Sequence, residues 1–362
     1  MFKLGSVFSG ASLLVISAAI VQAQPTQPLG PRVPKAQEIT VPVPTLTGEL
    51  ANGPIVPATD PSTRASAMAQ LTRAFQNEEL RVRSLPPFMM KVSFTAAGNA
   101  GLTGSGTMTE YWVDALHWKW TVQLGEVTVT QQGSNHQVGG TQPSATVPSR
   151  IQMLRSMVTY ATQIPGPNTT IRTSMAQQNG ASLTCLLSSK LPPASVSTRQ
   201  WPEEERCMDN ATGLLTMFSV APGVYTNFGY TRNQQFHGRT IPDRITTMIN
   251  GTVVLDAQVS VSDLGSIDQS FFANTPEMLG KATSLSLWTR FPMSVPDSSG
   301  KIRPVIVHAT IDMLGNATDV ELCAAADPTL AQTALDLVKK TNYGPNGLQR
   351  DAYINVQFGT LD

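Results

Sequence analysis

The side chains that could move a proton, hold a metal or attack a carbonyl are few and dispersed. Four histidines, His117, His136, His237 and His308, occur in 362 residues, none at an H-E-x-x-H or comparable metal-ligand spacing. His308 lies opposite the main apolar row of its strand, so a surface or second-layer position is expected. "WPEEERC" offers Glu203, Glu204 and Glu205 in succession. Sequence neighbours do not make an acid–base pair across a cleft, and a solvated loop accounts for them. "GLTGSG" from Gly101 to Gly106 has glycines without the order of a phosphate cradle and reads as a hairpin turn; no G-x-S-x-G elbow is present. No enzyme, cofactor or metal is expected.

Composition narrows the class. Charged residues are 14% of the chain against a usual value of about 25%, and basic and acidic residues balance at 25 each. Such a chain has no electrostatic footprint for nucleic acid and no polybasic membrane patch. The N-terminus, "MFKLGSVFSGASLLVISAAIVQAQP", combines one lysine, an apolar stretch and small residues before Gln24. It reads as a signal peptide, residues 1–23, cleaved between Ala23 and Gln24. The rival is an uncleaved membrane anchor, since residues 4–23 reach the ~20 a spanning helix needs. A periplasmic or secreted location follows, with membrane contact only if the segment is retained. In an oxidising compartment Cys185 and Cys207 could pair, while Cys323 is expected to be a buried apolar residue.

Positions 24–61 carry nine prolines and read as an extended spacer. Asp60 and Pro61 then cap a helix with Ala67, Leu71, Ala74 and Phe75 at helical spacing. Period-two segments follow: "FMMKVSFTA", then strands placing Met108, Glu110 and Trp112 on one face and Trp118, Trp120 and Val122 on another. The aromatics, with Tyr111 and Tyr225, could floor a cavity, although core packing is the commoner use of such positions. "VPSRIQMLRSMVTYAT" is a second amphipathic helix. A meander returns beyond it, with Asn250-Gly251 as a two-residue turn. Residues 62–277 thus read as one curved antiparallel sheet with covering helices. Helix first, long meander, then "D-x-x-x-F" at Asp268 to Phe272: that order resembles the periplasmic lipoprotein-carrier half-barrels of the LolA/LppX type. The resemblance implies a concave face able to shelter acyl chains or lipid.

Residues 278–362 are read as a separate module. "RPVIVHATIDMLGNATDVEL" is a hairpin with Val305, Val307, Ala309 and Ile311 in one row and Gly315 in the turn. Asp327 and Pro328 open a helix with Leu330, Ala334, Leu337 and Val338 as its buried stripe, and Lys339 and Lys340 suit its C-terminal end. A last strand sets Ala352, Ile354, Val356 and Phe358 against Tyr353, Asn355 and Gln357. This ββαβ unit resembles the C-terminal domain of TonB-like energy transducers at Pro304, Val305, Ile311, Asp312, Gly315, Val320, Asp327, Pro328, Leu330, Ala334, Tyr343, Pro345, Val356 and Phe358. The resemblance implies capture of an extended peptide of an envelope protein by strand addition, with Ala352 to Phe358 as the receiving edge. Residues 4–23 lack the ionisable group a membrane motor contact requires, which argues against energy transduction. The overall expectation is an α+β protein: a large antiparallel, half-barrel-like β domain with covering helices, followed by a small TonB-C-like domain. Protein binding is the leading function and lipid or lipoprotein carriage the alternative.

Overall fold

A computed structural model describes residues 46–359, apart from 51–52, 58–59, 135, 142–146, 161–163, 167, 179, 191–197, 276–277, 279–287 and 348. The segment read as a signal peptide, its expected cleavage between Ala23 and Gln24, and most of the proline-rich stretch lie outside the described residues. These described residues belong to one compact unit, Glu38–Asp362.

The end of the proline-rich stretch is built into the fold. β1 (Val56–Pro57) precedes α1 (Pro61–Glu78), whose N-terminus Asp60 caps by accepting from the Thr63 N–H. A five-strand meander follows: β2 (Phe88–Ala96), β3 (Gly104–Asp114), β4 (His117–Leu124), β5 (Val127–Ser134) and β6 (Gln137–Thr141). α2 (Ser149–Tyr160) then carries the chain across to β7 (Thr170–Gln178), β8 (Ala181–Ser189), β9 (Glu204–Asp209), β10 (Leu215–Ala221) and β11 (Val224–Gly229). A small hairpin of β12 (Gln234–Phe236) and β13 (Arg239–Ile241) leads into β14 (Arg244–Ile249) and β15 (Thr252–Asp263).

These strands, the small hairpin excepted, form one antiparallel sheet of thirteen in the order β1-β7-β8-β9-β10-β11-β14-β15-β2-β3-β4-β5-β6. At ~4.8 Å per strand it would span roughly 60 Å if flat, far wider than two helices can cover. A single apolar core nevertheless joins Val129 of β5, Ile171 of β7 and the helix residues Leu71, Ala74, Ile151 and Leu154. The sheet therefore curls around α1 and α2, as sheets of more than ~10 strands do. Asn250 and Gly251 take positive φ of 48° and 75° between β14 and β15, the turn that this dipeptide favours.

Cys185 and Cys207 face each other directly across β8 and β9 and are joined by a disulfide. They pack with Leu183, Met217 and Tyr225 in a small cluster separate from the main core. With the cysteines 22 positions apart in sequence, the loop-closure contribution is about 3 kcal/mol. A Cys185→Ala, Cys207→Ala double variant should lose about that much in urea unfolding, and reductant should no longer affect its midpoint. Cys323 is buried and free.

The second sheet has four strands: β16 (Thr289–Val295), β17 (Arg303–Ile311), β18 (Ala317–Ala325) and β19 (Arg350–Phe358), with α3 (Ala331–Lys340) packed on it. The expected ββαβ order is present, and the helix begins as a single 3-10 turn at Pro328–Leu330. β16 adds a strand that sequence reading passes over. It runs parallel to β19, includes Pro292 and is half-exposed along its length, so no alternation marks it. Ala352–Phe358 is consequently not an edge: β19 is hydrogen-bonded to β16 on one side and β17 on the other. The edges are β16, with Pro292 in it, and β18, interrupted by a bulge at Asp319. Proline and bulges both discourage strand addition.

The two sheets touch. A Cβ at Gly223, in the β10–β11 turn, would lie 1.9 Å from the Cys323 carbonyl oxygen of β18. Thr47 bridges Ala325 at the end of the same strand. Among the described residues no helix is long and apolar enough to cross a membrane.

Candidate functional site

Glu110 sits on β3 between Met90 of β2 and Trp120 of β4, on the face that α1 and α2 cover. Its alternation with Met108 and Trp112 turns a carboxylate into the apolar interior, where it is fully buried. Arg81, just beyond α1, donates its Nε to Oε1 at 3.1 Å, and its Nη2 to Oε2. Arg155 of α2 brings Nη1 within 3.4 Å of Oε2 and lies over the Trp120 ring, 5.1 Å from its centroid. Burial opposes ionisation of Glu110, but the two guanidinium groups outweigh it and hold the carboxyl below its ordinary range. Arg81 also donates to the Val158 carbonyl of α2 at 3.4 Å. One carboxylate of the sheet thus pins both covering elements.

The core between the helices and the sheet includes methionines among its leucines, valines and isoleucines: Met68 of α1, Met153 and Met157 of α2, and Met90, Met108 and Met208 of the strands. Unbranched, polarizable side chains of this kind repack easily against different partners. A residual cavity of about 50 Å³ lies between Met90, Met157, Val158, Phe228, Ile245 and Arg81. Glu78, at the end of α1, borders it. Its carboxylate accepts from the Leu215 N–H at 2.6 Å, and burial pushes its pKa up to about 8. A second, open groove of about 390 Å³ runs between β1, α1 and β7. It is lined by uncharged residues such as Ser66, Gln70 and Met175.

A second buried ion cluster joins α2 to the second sheet. Arg150 of α2 makes a two-pronged contact with Glu321 of β18, 2.7 and 2.8 Å. Glu321 is also 2.9 Å from His308 Nδ1, and His308 Nε2 is 2.6 Å from Asp351 of β19. Burial works against the charge on His308, yet the carboxylates of Asp351 and Glu321 outweigh it and push its pKa up to about 10. Of the two places expected for His308, the second layer is the one it takes.

The glutamates of "WPEEERC" are not a solvated loop. Glu203 pairs with Arg172 at 2.6 Å, Glu205 with Arg199 at 3.2 Å, and Glu204 with Arg206 at 3.1 Å, on or beside β9. Buried arginines on the same strand and on neighbouring strands and loops take them as partners. Cys185, Cys207 and Glu205 lie close together, but the disulfide uses both sulfurs and leaves no thiolates for a metal. Trp120 is core, as the commoner use of aromatic strand residues predicts, and Trp112 and Trp118 pack partly buried against it.

Arg81, Glu110 and Arg155 escape notice in sequence because they lie far apart along the chain. One signal was present: Glu110 is a charge on an otherwise apolar strand face, which demands a partner.

No family model matches the chain, and no curated protein is significantly similar to it. Among solved structures, a LolA superfamily protein from Nitrosomonas europaea aligns at a TM-score of 0.38 and 10% identity, over 57% of this chain and 97% of its own. A putative outer membrane lipoprotein-sorting protein domain from Vibrio parahaemolyticus aligns at a TM-score of 0.36 and 8% identity, over 57% of this chain and 95% of its own.

Proposed function

We propose that this chain is a non-catalytic carrier of a long apolar ligand, an acyl chain or the lipid part of a lipoprotein, in the envelope space outside the inner membrane. The ligand would lie between the curved sheet and its two covering helices. The observation that carries this reading is the helix–sheet contact itself: methionine-lined, adaptable, and fixed by one buried ion cluster. Ligand pockets of this kind need ~300–1,000 Å³, so the 50 Å³ void is the closed form and loading requires α1 and α2 to move off the sheet. The N-terminal segment and the Cys185–Cys207 disulfide suit an oxidising compartment. Strand addition at Ala352–Phe358 has no free backbone edge to use, so the carrier reading takes precedence over peptide capture.

Native mass spectrometry of freshly purified protein, with titration of a fluorescent acyl probe, tests it. Co-purifying acyl mass or saturable probe uptake, stronger in a Glu110→Gln variant, is the expected result. If neither the wild type nor that variant takes up the probe, the carrier reading is wrong.

A further inference from the structure

The start of α2 carries a set of polar contacts to the small C-terminal sheet, beside its apolar packing in the main core and a hydrogen bond from Arg150 Nε to the Ala97 carbonyl at 3.1 Å. The Gln349 side chain, just before β19, brackets Val147: its Oε1 accepts the Val147 N–H at 2.5 Å, and its Nε2 donates to the Val147 carbonyl at 2.6 Å. The Ser149 N–H donates to Asp319 Oδ2 at 3.3 Å, placing a carboxylate at the positive end of the helix dipole. One residue on, Arg150 makes its two-pronged contact with Glu321.

These contacts depend on a local irregularity of β18. Asp319 adopts a φ of +49° where the β17–β18 register shifts, so the strand bulges there. Bulges re-aim side chains, and this one lies where Asp319 and Glu321 both reach α2. The β2–β3 hairpin closes in from the other side. A Cβ at Gly98 would meet the Arg150 guanidinium at 2.8 Å, and one at Gly101 would meet Ser149 Oγ at 2.9 Å.

From this geometry we infer that the C-terminal sheet is a clasp that sets the position of α2 and thereby governs ligand entry beneath it, with Gln349, Asp319 and Glu321 as its positioning residues. The inference rests on the carrier reading for its consequence but not for its geometry. At 1.5 Å rise per residue, Arg150 is only ~8 Å along the axis from Arg155, which holds α2 to Glu110. The helix is therefore tethered twice, once to each sheet. His308, between Glu321 and Asp351, orients the Glu321 carboxylate toward Arg150. Releasing the clasp leaves the contact of Arg155 with Glu110 in place, so the helix swings from its C-terminal half.

Hydrogen exchange on the full-length chain, without ligand, separates this from simple packing. In Glu321→Gln the amides of residues 151–158 should exchange about tenfold faster or more, while those of β8 and β10 keep wild-type protection. Asp319→Asn, a milder change at a half-exposed residue, should give a smaller effect in the same segment and serves if Glu321→Gln does not fold. Release of the acyl probe should accelerate in the same order. Unchanged protection of residues 151–158 in the folded variants, or equal acceleration everywhere, would overturn the clasp. Failure of both the wild type and Glu110→Gln to bind probe would instead overturn the carrier reading, and the exchange data would still decide the clasp.

Discussion

Glu110→Ala should cost about 3 kcal/mol of unfolding free energy, measured by urea titration at neutral pH. The carboxylate is fully buried and faces Arg81 and Arg155, whose side chains are only 14% and 12% exposed. The substitution removes the carboxylate that both guanidinium groups face in a largely dry site. Arg81 retains Glu79 at 3.7 Å, and the small exposure lets both arginines relax toward water, so the expectation sits at the low end for breaking a buried pair. A companion variant sharpens the test. Replacing Glu110 by leucine together with Arg81 and Arg155 by methionine removes all the buried charges at once and should recover most of the loss. The triple variant should then hold its helices to the curved sheet without the Glu110 cluster, with α2 still fastened to the C-terminal sheet through Arg150 and Glu321, and exchange acyl probe faster than wild type. A single Glu110→Ala variant as stable as wild type would show that the cluster does not pin the helices.

The second large effect is a dependence on pH. Glu78 has an ordinary pKa of 4.5 when unfolded and about 8 in the folded chain, raised by burial against the opposing Leu215 N–H. Between those values the folded chain keeps a proton that the unfolded chain has released. Stability from this group is therefore full below pH 4.5 and is lost as pH rises through 8, a span on the order of 5 kcal/mol. Glu78→Gln keeps an acceptor for Leu215 and cannot ionise. The stability difference, variant minus wild type, should climb across this window and level off above it. His308, with its pKa at about 10, contributes a decline of the same sign, fully present below 6.5 and lost through 10. Glu321, lowered to about 2, acts oppositely: its contribution is present above 4.5 and lost as pH falls through 2. Both cancel in the Glu78 comparison because the variant leaves them in place. A flat difference would mean that Glu78 is ionised in the native state.

Local signals carried most of the architecture. Alternation located β2, β3, β4 and β15, because an antiparallel strand with one buried face must alternate. Asp60-Pro61 located α1, and Asn250-Gly251 located the turn that follows β14. Two things were not legible. β16 is half-exposed on both faces and pairs in parallel with β19, so nothing within its seven residues announces a strand. The candidate site depends on groups converging from β3, α2 and the residue stretch after α1, and no local pattern reports the partner of Glu110. Glu203 and Glu205 fail for the same reason in reverse: a run of acids resembles a wet loop until Arg172 and Arg199 arrive from elsewhere.

The seam between β15 and β2 has a consequence for how the chain is made. It is continuous from Phe88 opposite Asp263 to Ala96 opposite Leu255, and it alone joins the two meanders into one sheet. During synthesis from the N-terminus, β2 to β6 emerge with the β2 edge bare until β15 follows. For that interval the chain offers an apolar strand edge to any other nascent copy, and the late, sequence-distant closure makes folding slow. Export in an unfolded state would postpone the hazard without removing it. The demand this fold places on a cell is therefore greatest before the sheet closes, and co-expression of a holdase should raise soluble yield.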